Sequence, residues 1–151
     1  MSVKFQPVSN IKTRLGIQKY GPAHKFFANN CMNRMNARYT PEREGENGLT
    51  GSSIVDEKCN IIYQSPYAHY LYKGKLYVDP ETGSSWAKEG TTKVPTNKNL
   101  KYHKSGTGPH WDKKMVSAEI KDIERETNEY VKRGCKWWII KLVLKKQELW
   151  T

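Results

Sequence analysis

Cysteine is scarce in this chain. Its three residues, Cys31, Cys59 and Cys135, lie far apart and form no CxxC pair. That argues against a disulfide framework and favours a reducing, cytosolic setting. Long hydrophobic runs are missing too. The most apolar stretch, Trp137 to Leu144, is interrupted by Lys141 and is too short to span a bilayer. The opening Met1-Ser2-Val3-Lys4 leads into polar sequence rather than a signal peptide. Apolar residues make up only 36% of the chain and the mean hydropathy is −0.84, so we expect a thin core that gains burial from partner subunits. Metal and nucleotide motifs are absent. None of His24, His69, His103 and His110 stands in an HExxH, HxH or Cys/His spacing. Gly106-Thr107-Gly108 lacks the Gly-Lys-Ser/Thr ending of a phosphate loop, and Ser52 and Ser53 lack a nucleophile elbow. No metal, no cofactor and no catalytic residue is expected.

Acidic residues are few. Asp and Glu number 15 against 26 Lys and Arg, a net charge of +11. The excess is uneven. Residues 86–114 hold seven basic and two acidic groups, whereas 50–85 hold three and four, and 115–129 hold two and five. Such a balance favours polyanions without identifying a binding mode. Lys88, Lys93, Lys98, Lys101 and Lys104 recur every three to five residues, with Trp86 and Tyr102 among them. Aromatics among lysines suit stacking on single-stranded nucleic acid, and the same composition suits docking on an acidic neighbouring protein. A catalytic alternative is a metal-independent nuclease, or a nucleic-acid-binding module, using the basic 86–114 loop. In the nuclease, His103 and His110 would act as acid and base, and Lys101 or Lys104 would stabilise charge on phosphate.

What the chain has in quantity is tyrosine. Five of its nine tyrosines, Tyr63, Tyr67, Tyr70, Tyr72 and Tyr77, fall within fifteen residues. A large ring with a polar tip suits a half-buried surface or an interface. Lys73-Gly74-Lys75 and Asp79-Pro80-Glu81-Thr82-Gly83 are turn signals that bound the second half of this stretch. Around it, Val3 to Val8 reads as a short edge strand. Ser9 or Asn10 caps a helical piece through Gln18. A main helix starts at Pro22, carries an apolar stripe of Ala23, Phe27, Ala28, Cys31, Met32, Met35 and Tyr39, and stops before Thr40-Pro41. Glu42 to Gly51 is a loop. Leu49–Val55 and Cys59–Gln64 pair as a hairpin across Asp56-Glu57-Lys58. Tyr67 to Lys73 fits either a helical turn or a strand, and Leu76 to Val78 a strand. Residues 79–109 read as one long irregular basic loop. A second long helix spans His110 to Arg133 with Val116, Ile120, Ile123, Thr127 and Tyr130 as its stripe, Trp111 and Met115 near its start, and Gly134 as its stop. The tail from Cys135 to Thr151 is a strand, a helix extension or a docking segment. The fold class is therefore α+β, with two long helices packed on a small, mostly antiparallel sheet, as one domain over 1–134 with a tail over 135–151.

Three groups of residues carry a resemblance. The first is Tyr39-Thr40-Pro41 followed by Gly48 to Ser53. The second runs from Ser65-Pro66-Tyr67-Ala68-His69-Tyr70 through Gly74-Lys75-Leu76 to Val78-Asp79-Pro80-Glu81-Thr82-Gly83. The third is Lys98-Asn99-Leu100-Lys101-Tyr102 with Gly108-Pro109-His110-Trp111. In this order, over about residues 19–133, the chain resembles the minor capsid or neck proteins of tailed siphophages infecting Gram-positive bacteria. The acidic segment Glu42–Asn47 and the tail depart from that pattern. The resemblance implies a structural virion protein rather than an enzyme. It implies a head–tail connector assembling as a homo-oligomeric ring, six-fold rather than twelve-fold, around the DNA channel. Its neighbours would be head-completion, tail-terminator or tail-tube proteins. It would sit in the virion neck, pass through host cytoplasm during assembly and engage no membrane. Tyr67, Tyr70, Tyr72, Tyr77 and Trp86 are then candidates for intersubunit contacts. Lys88, Lys93, Lys98 and Lys101 are candidates for facing passing DNA, without sequence readout, or an acidic partner.

Overall fold

The computed structural model describes residues 8–41 and 48–148. The expected strand over Val3–Val8 and the acidic segment Glu42–Asn47 fall outside them, except that Val8 opens a helix. The elements in order are α1 (Val8–Leu15), α2 (Pro22–Arg34), a π-turn segment (Met35–Tyr39), β1 (Ser53–Val55), β2 (Ile61–Tyr63), α3 (Ala68–Lys73), β3 (Lys75–Val78), β4 (Val94–Asn99) and α4 (Trp111–Glu148). The class is α+β as expected, but the strands form two separate two-stranded sheets, β1–β2 and β3–β4, instead of one.

The chain divides into two compact units, one comprising 1–31, 55–61 and 119–151, the other 32–54 and 62–118. In the first, Gly16 O accepts the Ala23 N–H at 3.0 Å and so fastens the start of α2. Phe26 and Tyr130 stack with centroids 4.4 Å apart, and Asn30 Nδ2 donates to Glu126 Oε2 at 2.6 Å, which joins α2 to α4. Ala23, Ala28, Cys31 and Cys59 are buried, and Ile123 is 0% exposed. On α4, whose residues 111–118 belong to the second unit and the rest to the first, Trp111, Met115, Glu119 and Ile123 are buried, one residue in every four. Val116 and Tyr130, expected in the apolar stripe, are exposed. Trp111, Met115 and Ile123 are buried as expected, but the spacing of apolar letters missed Glu119, the carboxylate that joins them, and so put Val116 on the stripe.

In the second unit, Pro41 forces Thr40 into extended backbone (ψ 130), and the Thr40 N–H closes on Met35 O at 2.8 Å, a wide final turn. The Tyr67–Lys73 ambiguity resolves as a helix. Gly74 ends it in the left-handed conformation (φ 70), its N–H bonded to Tyr70 O at 3.1 Å. The strand β3 then runs antiparallel to β4, with Lys75 opposite Asn99, Tyr77 opposite Pro95 and Val78 opposite Val94. The expected irregular loop over 79–109 is thus interrupted by a strand. Thr96 reinforces it by donating from Oγ1 to Leu76 O at 2.8 Å. Pro95 is tolerated because a strand in a two-stranded sheet has a free edge.

The expected stop at Gly134 is not there. α4 passes through Gly134 and continues to Glu148, which makes the start of the tail a helix extension. One interior glycine costs only about 1 kcal/mol relative to alanine, less than a long helix needs to break.

Candidate interaction surface

The short motifs of the sequence meet in the second unit around Trp111, which is 3% exposed. Tyr63 and Tyr72 meet its ring edge-on, with centroids 5.4 and 5.0 Å away. His110 lies edge-on to Tyr72 at 4.8 Å, and the Tyr72 hydroxyl donates to Asp112 Oδ1 at 2.9 Å. Tyr102 donates to Leu71 O at 2.6 Å and so holds the segment after β4 against α3.

A directional hydrogen-bond chain secures the other side of Tyr63. The Ser53 hydroxyl donates to Thr50 O at 2.8 Å, so its oxygen accepts from Asn36 Nδ2 at 2.6 Å. Asn36 Oδ1 then accepts the Tyr63 proton at 2.9 Å. With that proton committed, Thr40 donates to the Tyr63 oxygen at 3.2 Å. Thr40 is 0% exposed, so its hydroxyl depends on this partner. Each donor in the chain polarises the next. Reading the sequence did not find this network, because its members lie on three separate segments.

Burial raises the phenol pKa of Tyr63, Tyr72 and Tyr102 above the ordinary 10.0; for Tyr72 the hydrogen bond to Asp112 adds to the rise. The folded state therefore favours the neutral phenol. Stability from these groups is fully present below their unfolded pKa, about pH 10. It is lost as pH rises through the higher folded values. We expect the thermal midpoint to be level from pH 8 to about 10 and to fall above it. Tyr72→Phe should flatten that fall, and phenolate absorbance should show a late-titrating group lost with Tyr72.

The sequence-predicted interface residues divide into two kinds. Tyr70 and Tyr77 pack edge-on at 4.8 Å, His69 joins both rings, and both tyrosines are half-buried. Tyr72 is half-buried and engaged within the chain. Tyr67 and Trp86, by contrast, are 59% and 87% exposed. Trp86 follows a well-fastened turn. Asp79 Oδ1 accepts the N–H groups of Glu81 and Thr82 at 2.8 and 3.2 Å, and Asp79 N–H bonds Ser84 O at 2.8 Å. Lys93 Nζ donates to Ser85 O at 2.7 Å, which ties the far side of the loop to the residue before Trp86.

Among the lysines, Lys88, Lys98 and Lys101 are exposed, and Lys93 is half-buried by its bond to Ser85. Nothing in the arrangement supports the nuclease alternative. His103 is exposed, and His110 is packed against Tyr72 with Nδ1 buried and unbonded. Among the described residues no group of three or more His, Cys, Asp or Glu gathers to hold a metal, and no helix is long and apolar enough to cross a membrane.

Thr40, Ser53, Gly74, Asp79, Tyr102 and Trp111, which help to lock this unit, fall within the stretches that carry the resemblance. The sequence model of the family described as minor capsid protein matches residues 3–133, and the chain belongs to that family. Its role is accordingly structural, as a constituent of the virion. No curated protein and no solved structure gives a significant match. The match ends one residue before Gly134, so Cys135–Thr151 lies beyond it, as the resemblance implied.

Proposed function

We infer that this minor capsid protein is a component of the virion neck of a siphophage with a Gram-positive host. It joins head-completion to tail-completion proteins as a homo-oligomeric ring, with six-fold order preferred, around the DNA channel. The observation that carries this reading is the display of Trp86, 87% exposed on a turn closed by several hydrogen bonds. An ordered, solvated tryptophan is the kind of anchor that dominates protein interfaces. Tyr67 is exposed on the same unit and adds a second ring with a polar tip. Tyr70 and Tyr77, packed edge-on to each other, and Tyr72 are the further, half-buried candidates for the contact. The tail-terminator or tail-tube proteins are the further neighbours, and no membrane is involved. Assembly takes place in host cytoplasm.

Trp86→Ala separates association from folding. Its stability should change by no more than about 0.5 kcal/mol, because the ring touches little within the chain. Self-association should weaken by about 2 kcal/mol per contact or more, roughly thirtyfold, read by mass photometry across a dilution series. Imaging of intact particles with a labelled chain should place the protein at the head–tail junction. A protein that stays monomeric at all concentrations and lies over the capsid shell would overturn the reading.

A further inference from the structure

The end of the β3–β4 sheet gathers positive charge that no described carboxylate pairs with. Lys73 and Lys75 flank Gly74, and Lys98 and Lys101 flank the last residues of β4. The register sets Lys75 opposite Asn99, and Leu100 N–H donates to Gly74 O at 2.9 Å. Four lysines thus lie within two residues of one backbone hydrogen bond. All four are exposed. Neither 59–78 nor 90–111 contains an acidic residue. Among the described residues no carboxylate pairs with any of the four. Lys75 donates to Asn99 Oδ1 at 2.7 Å, which aims its ammonium and leaves two N–H groups unused.

Like charges collected in this way raise the free energy of the isolated chain, and a polyanion removes that repulsion. We propose that Lys73, Lys75, Lys98 and Lys101 form a site for the phosphate backbone of duplex DNA, read without regard to sequence. Two features favour nucleic acid over an acidic protein. First, the site is made of lysine alone, and there is no arginine between Arg43 and Arg125. Protein interfaces enrich arginine and deplete lysine, because the planar guanidinium grips a carboxylate with two bonds. Phosphates accept lysine as a point charge, and their binding strength comes from counterion release. Second, the sheet offers lysines and asparagines rather than a helix that fits the major groove. That suits backbone contact and not base readout. The site differs from the sequence expectation. Lys73 and Lys75 enter it, while Lys93 is held by Ser85 and Lys88 lies in the segment before β4.

This inference rests on the proposed position at the DNA channel, but its test does not depend on the ring. The full chain is titrated against a labelled duplex of mixed sequence, by fluorescence anisotropy from 20 to 200 mM salt. Its mass is measured in the same samples. Two variants of equal charge are compared: Lys73→Gln/Lys75→Gln/Lys98→Gln/Lys101→Gln, and Lys25→Gln/Lys58→Gln/Lys121→Gln/Lys132→Gln. The first should lower the slope of log affinity against log salt by about 3 to 4, and weaken binding at least about tenfold at 100 mM salt. The second should change the slope by less than about 1. Equal losses in both variants, or no salt-dependent duplex binding by the parent chain, would sink the site. Polyglutamate binding as tightly as duplex at equal charge would also sink it, and would assign the surface to an acidic protein. A monomer that binds duplex through these four lysines would retain the site and overturn only the ring. An assembled ring indifferent to the four substitutions would do the reverse.

Discussion

Trp111→Ala is expected to cost about 3–5 kcal/mol of folding stability, the largest loss available from one side chain in the second unit. The ring is 3% exposed at the first residue of α4, and it meets two tyrosine edges at 5.4 and 5.0 Å. Removing it leaves a cavity between segments that are distant in sequence, and a cavity lined by rings on hydrogen-bonded tyrosines collapses poorly. Tyr63 is held by Asn36 and Thr40, and Tyr72 by Asp112. Each lost aromatic pair adds about 0.5–1.5 kcal/mol to the area term. The midpoint temperature should fall by about 10 °C. Urea denaturation would show a lower midpoint with the slope retained. Trp111→Phe should recover part of the loss. Tyr72→Phe made on the Trp111→Ala background should cost less than on the parent, since the two share contacts. A loss under about 1 kcal/mol for Trp111→Ala would mean that the second unit is not organised around this ring.

Which parts of this arrangement were legible beforehand follows from where the determining forces lie. Pro22, Thr40-Pro41, Gly74 and the Asp79–Gly83 turn act through their own backbone, and each marks a boundary where it was expected. The strand β4 did not show. Its sequence, Val-Pro-Thr-Asn-Lys-Asn, has no alternating apolar pattern, and its ladder depends on β3 and on the Thr96 bond to Leu76. Missing β4 also hid the lysine site. Lys73 and Lys75 read as parts of a turn, and only pairing with β4 brings Lys98 and Lys101 beside them. Buried Glu119 hid the link from Trp111 and Met115 to Ile123 on α4, which were read as apolar positions. Helix propagation through Gly134 defeated a stop signal that is weak without a following proline or a left-handed cap. The aromatic stretch was recognised, but its division into supporting and exposed rings is a tertiary result. Tyr72 faces Asp112, forty residues away, whereas Tyr67 and Trp86 remain exposed.

Gly74→Ala should be the second most damaging single change, at about 2–5 kcal/mol. Two separate costs meet there. The backbone sits at φ 70, where a β-carbon costs about 1–2 kcal/mol. That carbon would also lie 2.8 Å from Pro109 Cβ and 3.0 Å from Pro109 Cγ. A proline ring cannot swing aside as a flexible side chain does, and overpacking of this kind costs about 1–3 kcal/mol. Gly83→Ala is the internal control. Gly83 has nearly the same backbone (φ 67) but nothing within 4 Å of the added carbon, so it carries the conformational cost alone. The difference between the two variants, read from denaturation midpoints, measures the packing of α3's end against Pro109. Gly74→Asn refines the result, because asparagine tolerates the left-handed backbone yet still brings a β-carbon to the proline. It should recover the conformational part and leave the steric part. Equal losses at Gly74 and Gly83 would show that the chain relaxes around Pro109. In that case the bond from Leu100 to Gly74, and with it the grouping of the four lysines, would not be held rigidly by the fold.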